Sequence, residues 1–311
     1  MTALARRRLV FALTPLTACN DAPTERAPAA DLDEPVGNEA GSGRDTPSQL
    51  FRNNQDGTFT DVARDPGVDV VAFVKGVTWG DYDYDGDQDL YVSVMGAGNR
   101  LFRNDPAETP EGRRVTDVTE RAGVRAPAAN FVVWLWDYDN DGWLDLHVAG
   151  YRAQVGDIAA EIFDRSAKGE FPRLYRNQRN ETFVDMPRSA FEEVTVSGGF
   201  GHIQLEGVSS NRAALGARVR ATVIDDGVER TVYAHVSGGS SFGANSLQLE
   251  IGLGNATSAR PPEITWPTSG RAQRFSEVGM DSVYRVSEDR DELQRLESLG
   301  FTLCGGSGMD T

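Results

Sequence analysis

Nine residues, Asp81 to Asp89, carry carboxylates at 81, 83, 85, 87 and 89, with Gly86 among them. Carboxylates so crowded repel one another and hold on to protons unless something positive sits between them. Counted from Asp81 as position one, the stretch places Asp83 at three, Asp85 at five, Gly86 at six, Asp87 at seven and Asp89 at nine. Alternate residues of a tight loop can aim their side chains at one centre. Glycine at six permits the sharp turn, and position seven needs to offer only its backbone carbonyl. Several hard oxygen donors around one point suit a hard divalent cation, Ca2+ above all; Mg2+ keeps more water and takes fewer protein ligands.

A second stretch follows the same rule. Asp137, Asp139, Asp141, Gly142, Trp143 and Asp145 stand at positions one, three, five, six, seven and nine. Tryptophan at seven is compatible with a carbonyl ligand and incompatible with a carboxylate one. Two Ca2+ sites are therefore expected. Asp81, Asp83, Asp85 and Asp89 serve the first by side chain, and Asp137, Asp139, Asp141 and Asp145 the second. Asp87 and Trp143 contribute through their carbonyls. Position twelve is Val92 in one loop and Val148 in the other, which excludes the helix–loop–helix calcium site with its bidentate glutamate. The residues that follow, "LYVSV" and "LHVAG", read as strands, so these loops connect strands.

The strands that must position the loops recur. "QLFRNNQDGTFTDV" begins at Gln49, "RLFRNDPAETPEGRRVTDV" at Arg100 and "RLYRNQRNETFVDM" at Arg173, with Leu50, Leu101 and Leu174 in register. One unit reads as four short strands, 49–53, 58–62, 75–80 and 90–95, with a hairpin turn at Asp56-Gly57. Four strands repeated at this spacing point to propeller-like blades. Two full units and the first two strands of a third can be counted, ending near Met186. The wider gap before the third copy holds "GDIAAEIFDRSAKGEF", which reads as a short helical insertion. From about His202 the pattern becomes short alternating runs broken by Gly, Asn and Pro, as in a small β-sandwich. In "ARVRATV", Val219, Ala221 and Val223 should face inward. "SEDRDELQRLESLG" reads as a helix, with Ser287 as its cap and Leu293, Leu296 and Leu299 as its apolar stripe.

The chain start has three arginines, Arg6 to Arg8, then an apolar run to Ala18 and then Cys19. This is the layout of an export signal. Leu16-Thr17-Ala18-Cys19 resembles the bacterial lipobox, in which the cysteine becomes the first residue and carries lipid. Residues 1–18 are thus expected as a lipoprotein signal peptide, and 19–47, rich in Pro, Ala, Gly and acid, as a flexible linker. The remaining segments are 48–190 for the repeats, 195–287 for the β domain and 288–311 for a helical tail. Cys19 and Cys304 are the only cysteines, so no disulfide framework is expected. A formal charge of −16 argues against nucleic acid and against anionic membrane surfaces as partners. The three histidines, His147, His202 and His235, stand in no zinc or triad pattern, and no catalytic residue is expected. Trp134 and Trp136 alternate with Val133 and Leu135, so at least some of these rings belong to the core; an exposed Trp143 could stack on a sugar, but packing is the expectation.

These repeats resemble the FG-GAP/VCBS repeats of integrin-type β-propellers, in which an aspartate loop between two blade strands holds Ca2+. "LEGVSSNRAALGARVRATV" and "LEIGLGNATSARPPEITWPTSG" resemble the ASPIC/UnbV domain that accompanies such repeats in cartilage acidic protein-like proteins. The resemblance rests on Asn211-Arg212, Gly216 to Val219, Gly252-Leu253-Gly254 and Trp266-Pro267. It departs at Ile251, where the family has phenylalanine, and at Thr268-Ser269-Gly270, one residue longer than the family's motif. The expected fold class is all-β: a partial or shortened propeller, a small sandwich-like domain and a short C-terminal helix. Since a closed propeller needs about four blades, the array is either a shortened one, capped by the second domain, or completed by self-association through an open edge. The implied function is a calcium-binding, exported, lipid-anchored module at a bacterial outer membrane or cell surface. It would act in adhesion or in binding an unknown protein or carbohydrate ligand. The other function class is an accessory or enzymatic role in natural-product biosynthesis of the enediyne type.

Overall fold

A computed structural model describes residues 11–12, 47–54, 56–108, 113–150, 171–187, 199–225, 227–238, 246–276, 278–279 and 282–296. The lipobox with Cys19, most of the expected linker, Cys304 and the insertion at 151–170 lie outside the described residues. Two compact units divide the rest. One holds the described residues up to Trp136 and those from Trp143 to 187; the other holds Asp137–Gly142 with those from 199 onward.

The first unit contains three antiparallel sheets. In the smallest, β1 (Phe11–Ala12), β2 (Phe51–Asn53) and β3 (Phe59–Asp61) lie in order; β1 falls within the expected signal peptide, so cleavage before Cys19 would leave the β2–β3 hairpin. The β2–β3 hairpin turns at Asp56-Gly57: Asp56 Oδ1 accepts the Thr58 N–H at 2.9 Å, and Gly57 takes φ +89°. The second sheet is β4 (Val74–Gly80), β5 (Asp89–Val94), β6 (Arg100–Pro106) and β7 (Arg113–Asp117). A single turn, α1 (Thr119–Ala122), leads to the third: β8 (Asn130–Trp136), β9 (Asp145–Gly150), β10 (Arg173–Asn177) and β11 (Phe183–Asp185).

This pairing corrects the repeat boundaries. Read along the chain, each unit starts with a Leu-aromatic-Arg-Asn hairpin. In the structure each full sheet instead starts with an aspartate-loop hairpin, β4–β5 or β8–β9, and ends with the next Leu-aromatic-Arg-Asn hairpin. The register Leu90↔Phe102, Tyr91↔Leu101 joins β5 to β6 across a five-residue link. A short link favours antiparallel neighbours, whereas twelve residues separate β3 from β4. Two four-stranded blade-like sheets and one smaller sheet are thus present among the described residues; they do not close into a barrel, and a propeller is not confirmed.

Strand β5 shows why the run after the first loop is apolar throughout. Every one of its six residues is buried. Leu90, Val92 and Val94 join a cluster with Leu50, Val68, Val77 and Phe102. Tyr91 points the other way, into a cluster with Tyr82, Leu101, Val133, Leu135, Leu146, Val148, Tyr175 and Phe183. The middle sheet is therefore covered on both faces, and each large side chain so buried contributes about 1.5–3 kcal/mol. The β4 and β8 backbones approach so closely that a Cβ on Gly76 would lie 2.6 Å from the Phe131 carbonyl. Arg103 and Arg121 both reach Glu181, at 2.6 and 2.8 Å, and bind the second sheet and α1 to the β10–β11 turn.

The second unit has two sheets. One is ordered β15 (Gln248–Gly254), β12 (Gly199–Glu206), β19 (Ser282–Ser287), β20 (Gln294–Leu296), with β12 and β19 parallel. The other is β14 (Val228–His235), β13 (Arg218–Asp225), β17 (Glu263–Thr265), β18 (Ala272–Arg274), with β16 (Ala256–Ala259) also on β13. Val219, Ala221 and Val223 are buried while Arg218 and Arg220 are exposed, as the alternation requires.

The expected C-terminal helix is absent from the described residues 288–296, which form a turn and the strand β20. Tertiary partners take the groups a helix would have used. Glu288, 3% exposed, accepts the N–H groups of Val208 and Ser210 at 2.7 Å and the hydroxyls of Ser210 and Ser269 at 2.8 and 2.6 Å. Gln273 Nε2 donates to the carbonyls of Ser287, Glu288 and Arg290. The leucine spacing that suggested a stripe therefore gives way to long-range bonds.

Candidate metal centre

The two aspartate loops have the same backbone path. Position four is left-handed in both, Tyr84 at φ 58° and Asn140 at φ 55°, and position six is glycine at φ +96° and +83°. Asparagine tolerates that conformation, and glycine adopts it without steric cost. The position-one carboxylate closes each loop: Asp81 Oδ2 accepts the Gly86 N–H at 3.0 Å, and Asp137 Oδ2 accepts the Gly142 N–H at 2.8 Å. Asp83 and Asp139 each accept the N–H two residues on.

This folding gathers positions one, three and nine. Oxygens of Asp81, Asp83 and Asp89 lie within 4.8 Å of one another, and so do those of Asp137, Asp139 and Asp145. Asp89 and Asp145 are fully buried, and Asp81 is 1% exposed. The remaining proposed ligands stand outside these triads. Asp85 Oδ1 accepts the Asp87 N–H at 2.8 Å, and the Asp87 carboxylate pairs with Arg113. Asp141 is buried. The Trp143 ring meets Tyr84 edge-on, centroids 4.7 Å apart, so its side chain is used in packing.

Burial and crowding raise the carboxylates of the first loop and Asp137 of the second. Desolvation, with the charges of Asp85 and Asp83, pushes Asp81 up to about 8. Desolvation and the Asp83 charge push Asp89 to about 9, and Asp83 itself rises to about 6 through burial and Asp85. Asp137 rises to about 7, chiefly by desolvation. Asp81 Oδ1 and its counterpart Asp137 Oδ1 are buried without a hydrogen-bond partner. A buried carboxylate oxygen with no donor is unfavourable by several kcal/mol in a protein interior. Hard, buried, mutually repelling oxygens, one per loop without a donor, are of the kind that suits a hard divalent cation such as Ca2+.

Reading the sequence missed the residues that hold position nine. The Asn104 N–H donates to Asp89 Oδ1 at 2.9 Å, and the Asn177 N–H to Asp145 Oδ1 at 2.8 Å. Their signal was the asparagine that closes each Leu-aromatic-Arg-Asn copy. Around the second loop, Arg230 Nη1 donates to the Gly142 carbonyl at 2.9 Å, and the Gly254 N–H to the Asn140 carbonyl at 3.0 Å. Nothing in the spacing announced those. His147 is buried and stacked on Trp134 at 4.1 Å, with desolvation lowering it to about 4. Trp134 and Trp136 are half-buried and alternate with the buried Val133 and Leu135.

Residues 207–293 match the family model "ASPIC and UnbV", and residues 39–92 match the model "FG-GAP-like repeat". Over 102 residues, 32% of this chain, the sequence is 32% identical to Cartilage acidic protein 1 of Xenopus tropicalis. That match spans 15% of the relative's length. The chain thus carries an FG-GAP-like repeat and an ASPIC/UnbV domain, in that order. FG-GAP repeats often bind Ca2+, and the two carboxylate triads could hold a metal ion.

Proposed function

We propose that this chain is a calcium-stabilised, non-catalytic binding or adhesion module, exported and held at a bacterial outer membrane or cell surface by lipid on Cys19. The two domain matches suggest an extracellular binding or adhesion module. The observation that carries the calcium part is the paired triad, each with a buried position-one oxygen lacking a partner. Asp81, Asp83 and Asp89 would hold one ion and Asp137, Asp139 and Asp145 the other. Asp85, Asp141 and the carbonyls of Asp87 and Trp143 would complete the shells. The ion supplies charge neutralisation; the loops hold strands β4–β5 and β8–β9 in register around it. Bound only by the folded state, it adds about 2.7 kcal/mol per site at a hundredfold excess over Kd.

The non-catalytic reading draws on where the perturbed acids lie. Among the described residues, the carboxylates that burial raises, Asp81, Asp83, Asp85, Asp89 and Asp137, are all residues this reading gives to the cation. Among the described residues no helix is long and apolar enough to cross a membrane; attachment in this reading rests on the sequence Leu16-Thr17-Ala18-Cys19 alone. The partner is an unidentified protein or carbohydrate. Calorimetric titration of the chelator-stripped chain with Ca2+ tests the reading: two ions bind, and Asp81→Asn and Asp137→Asn each abolish one. A stripped chain that takes up no Ca2+ overturns it.

A further inference from the structure

We infer that the cation site of the second loop is set by three residues about a hundred positions further along the chain, Arg230, Gly252 and Gly254, acting as positioning residues. This rests on the calcium reading above and concerns what makes the two sites unequal. Loop residues Asp137–Gly142 belong to the second compact unit, together with all three.

A Cβ on Gly252 would lie 1.7 Å from Asp137 Oδ2 and 2.9 Å from the Gly142 nitrogen. Those two atoms form the hydrogen bond that closes the loop. Any side chain at 252 therefore displaces the position-one carboxylate, whose other oxygen is the orphan. The carbonyls of the two left-handed residues, Asn140 and Gly142, are each held by one donor, from Gly254 and Arg230 respectively. Arg230 is itself steadied by Asp225 at 3.7 Å. Fixing both residues removes other conformations of the loop, so that a cation meets a preformed cage; such outer groups typically govern metal affinity by 10–100-fold.

The first loop has the same ligand types and different supports. Its position-seven carboxylate is taken by Arg113 of β7, within its own sheet, while the position-nine support is common to both loops, Asn104 in the first and Asn177 in the second. The two sites should therefore respond to different substitutions.

The test is Ca2+ titration of Gly252→Ala and Arg230→Gln, each placed in Asp81→Asn and in Asp137→Asn chains, so that one loop is read at a time. The expected result is at least about a tenfold loss of affinity at the second loop, with the first loop unchanged. An unchanged circular dichroism spectrum and an unchanged melt of the cation-free chain report that the second unit, which holds Arg230 and Gly252, still folds. Should Gly252→Ala abolish both sites, Arg230→Gln, which removes a donor without adding bulk, decides. Wild-type affinity at the second loop in Arg230→Gln and in a folded Gly252→Ala chain overturns the inference and leaves the calcium reading standing. A wild-type chain that binds no Ca2+ overturns the calcium reading itself.

Discussion

The Asn177 backbone N–H donates to Asp145 Oδ1, and the Asn177 side chain donates to the carbonyls of Tyr82 and Leu144 at 2.8 and 3.0 Å. One asparagine thus fixes the ninth position of the second loop and touches the second position of the first. Asn104 repeats the first half of this arrangement on Asp89 and the Gln88 carbonyl. The aspartate loop and the Leu-aromatic-Arg-Asn hairpin are one structural unit, because the hairpin holds the loop's deepest carboxylate.

Asn177→Leu keeps the volume and leaves the Tyr82 and Leu144 carbonyls without that donor. Each unsatisfied buried group is unfavourable by about 1–3 kcal/mol, so a loss of about 2–4 kcal/mol is expected in urea unfolding. The exposed Asn54, which bonds Thr58 and Thr60, should cost less than about 0.5 kcal/mol on change to alanine. Equal effects for the two would remove the special role of Asn177.

Stability without cation should depend on pH in an unusual direction. Asp81, Asp83, Asp89 and Asp137 have folded pKa values of about 8, 6, 9 and 7, above the unfolded range near about 4. A raised folded pKa gives stability that is complete below the unfolded value and lost as pH rises through the folded one. In chelator the melting temperature should therefore fall between about pH 5 and pH 9. Saturating Ca2+ should hold the carboxylates ionised and widen the gap as pH rises. A chelator melt that is flat or rises over this range would contradict the charge crowding in the loops.

Glu288 predicts the opposite limb. Desolvation raises its pKa, yet the hydrogen bonds from Ser210, Ser269 and Val208 outweigh that and hold it at about 2. Its stabilisation is present above the unfolded value, near about 4, and disappears as pH falls toward 2. The shift corresponds to roughly 3 kcal/mol. Glu288→Gln should lose about that much at pH 7 and flatten acid unfolding of the second unit. Unaltered acid unfolding in the variant would show that the carboxylate is not the titrating group.

Close approach of β4 to β8 can be read with glycine substitutions. Gly76→Ala must move the Phe131 carbonyl, and about 1–3 kcal/mol of destabilisation is expected. Gly201→Ala, in β12, meets nothing within 4 Å and should be neutral or slightly stabilising. Thermal melts of the pair suffice; a tolerated Gly76→Ala would mean the two strands can separate freely.

Lipid attachment has a direct readout in cell fractions. Cys19→Ala should move the chain from the membrane fraction to the soluble exported fraction. Continued membrane association would rule out the Leu16 to Cys19 signal as the anchor.

Much of the candidate site was legible because its logic is local. Aspartate at one, three and nine with glycine at six needs only a tight loop, and the loop bonds run between residues two to seven apart. The β-alternation of Val219, Ala221 and Val223 was legible for the same reason, since strand geometry repeats every two residues. Repeat boundaries were not, because a periodic sequence defines its unit only up to where one starts counting. The short link after β5 and the bonds from Asn104 and Asn177 decide that choice. Residues 288–296 misled for a further reason: leucines at helical spacing weigh little against a buried glutamate that four donors hold.

By itself, then, the sequence determined the carboxylate pattern of the loops, the strand-rich class and the order of the two kinds of domain, because these follow from residue types at short spacing. Only the tertiary structure decided which hairpin completes which sheet and that β12 lies parallel to β19. It alone placed Gly252 against Asp137, 115 residues earlier in the chain. Those outcomes depend on which distant backbones come together when apolar faces are buried, and no local pattern encodes that meeting.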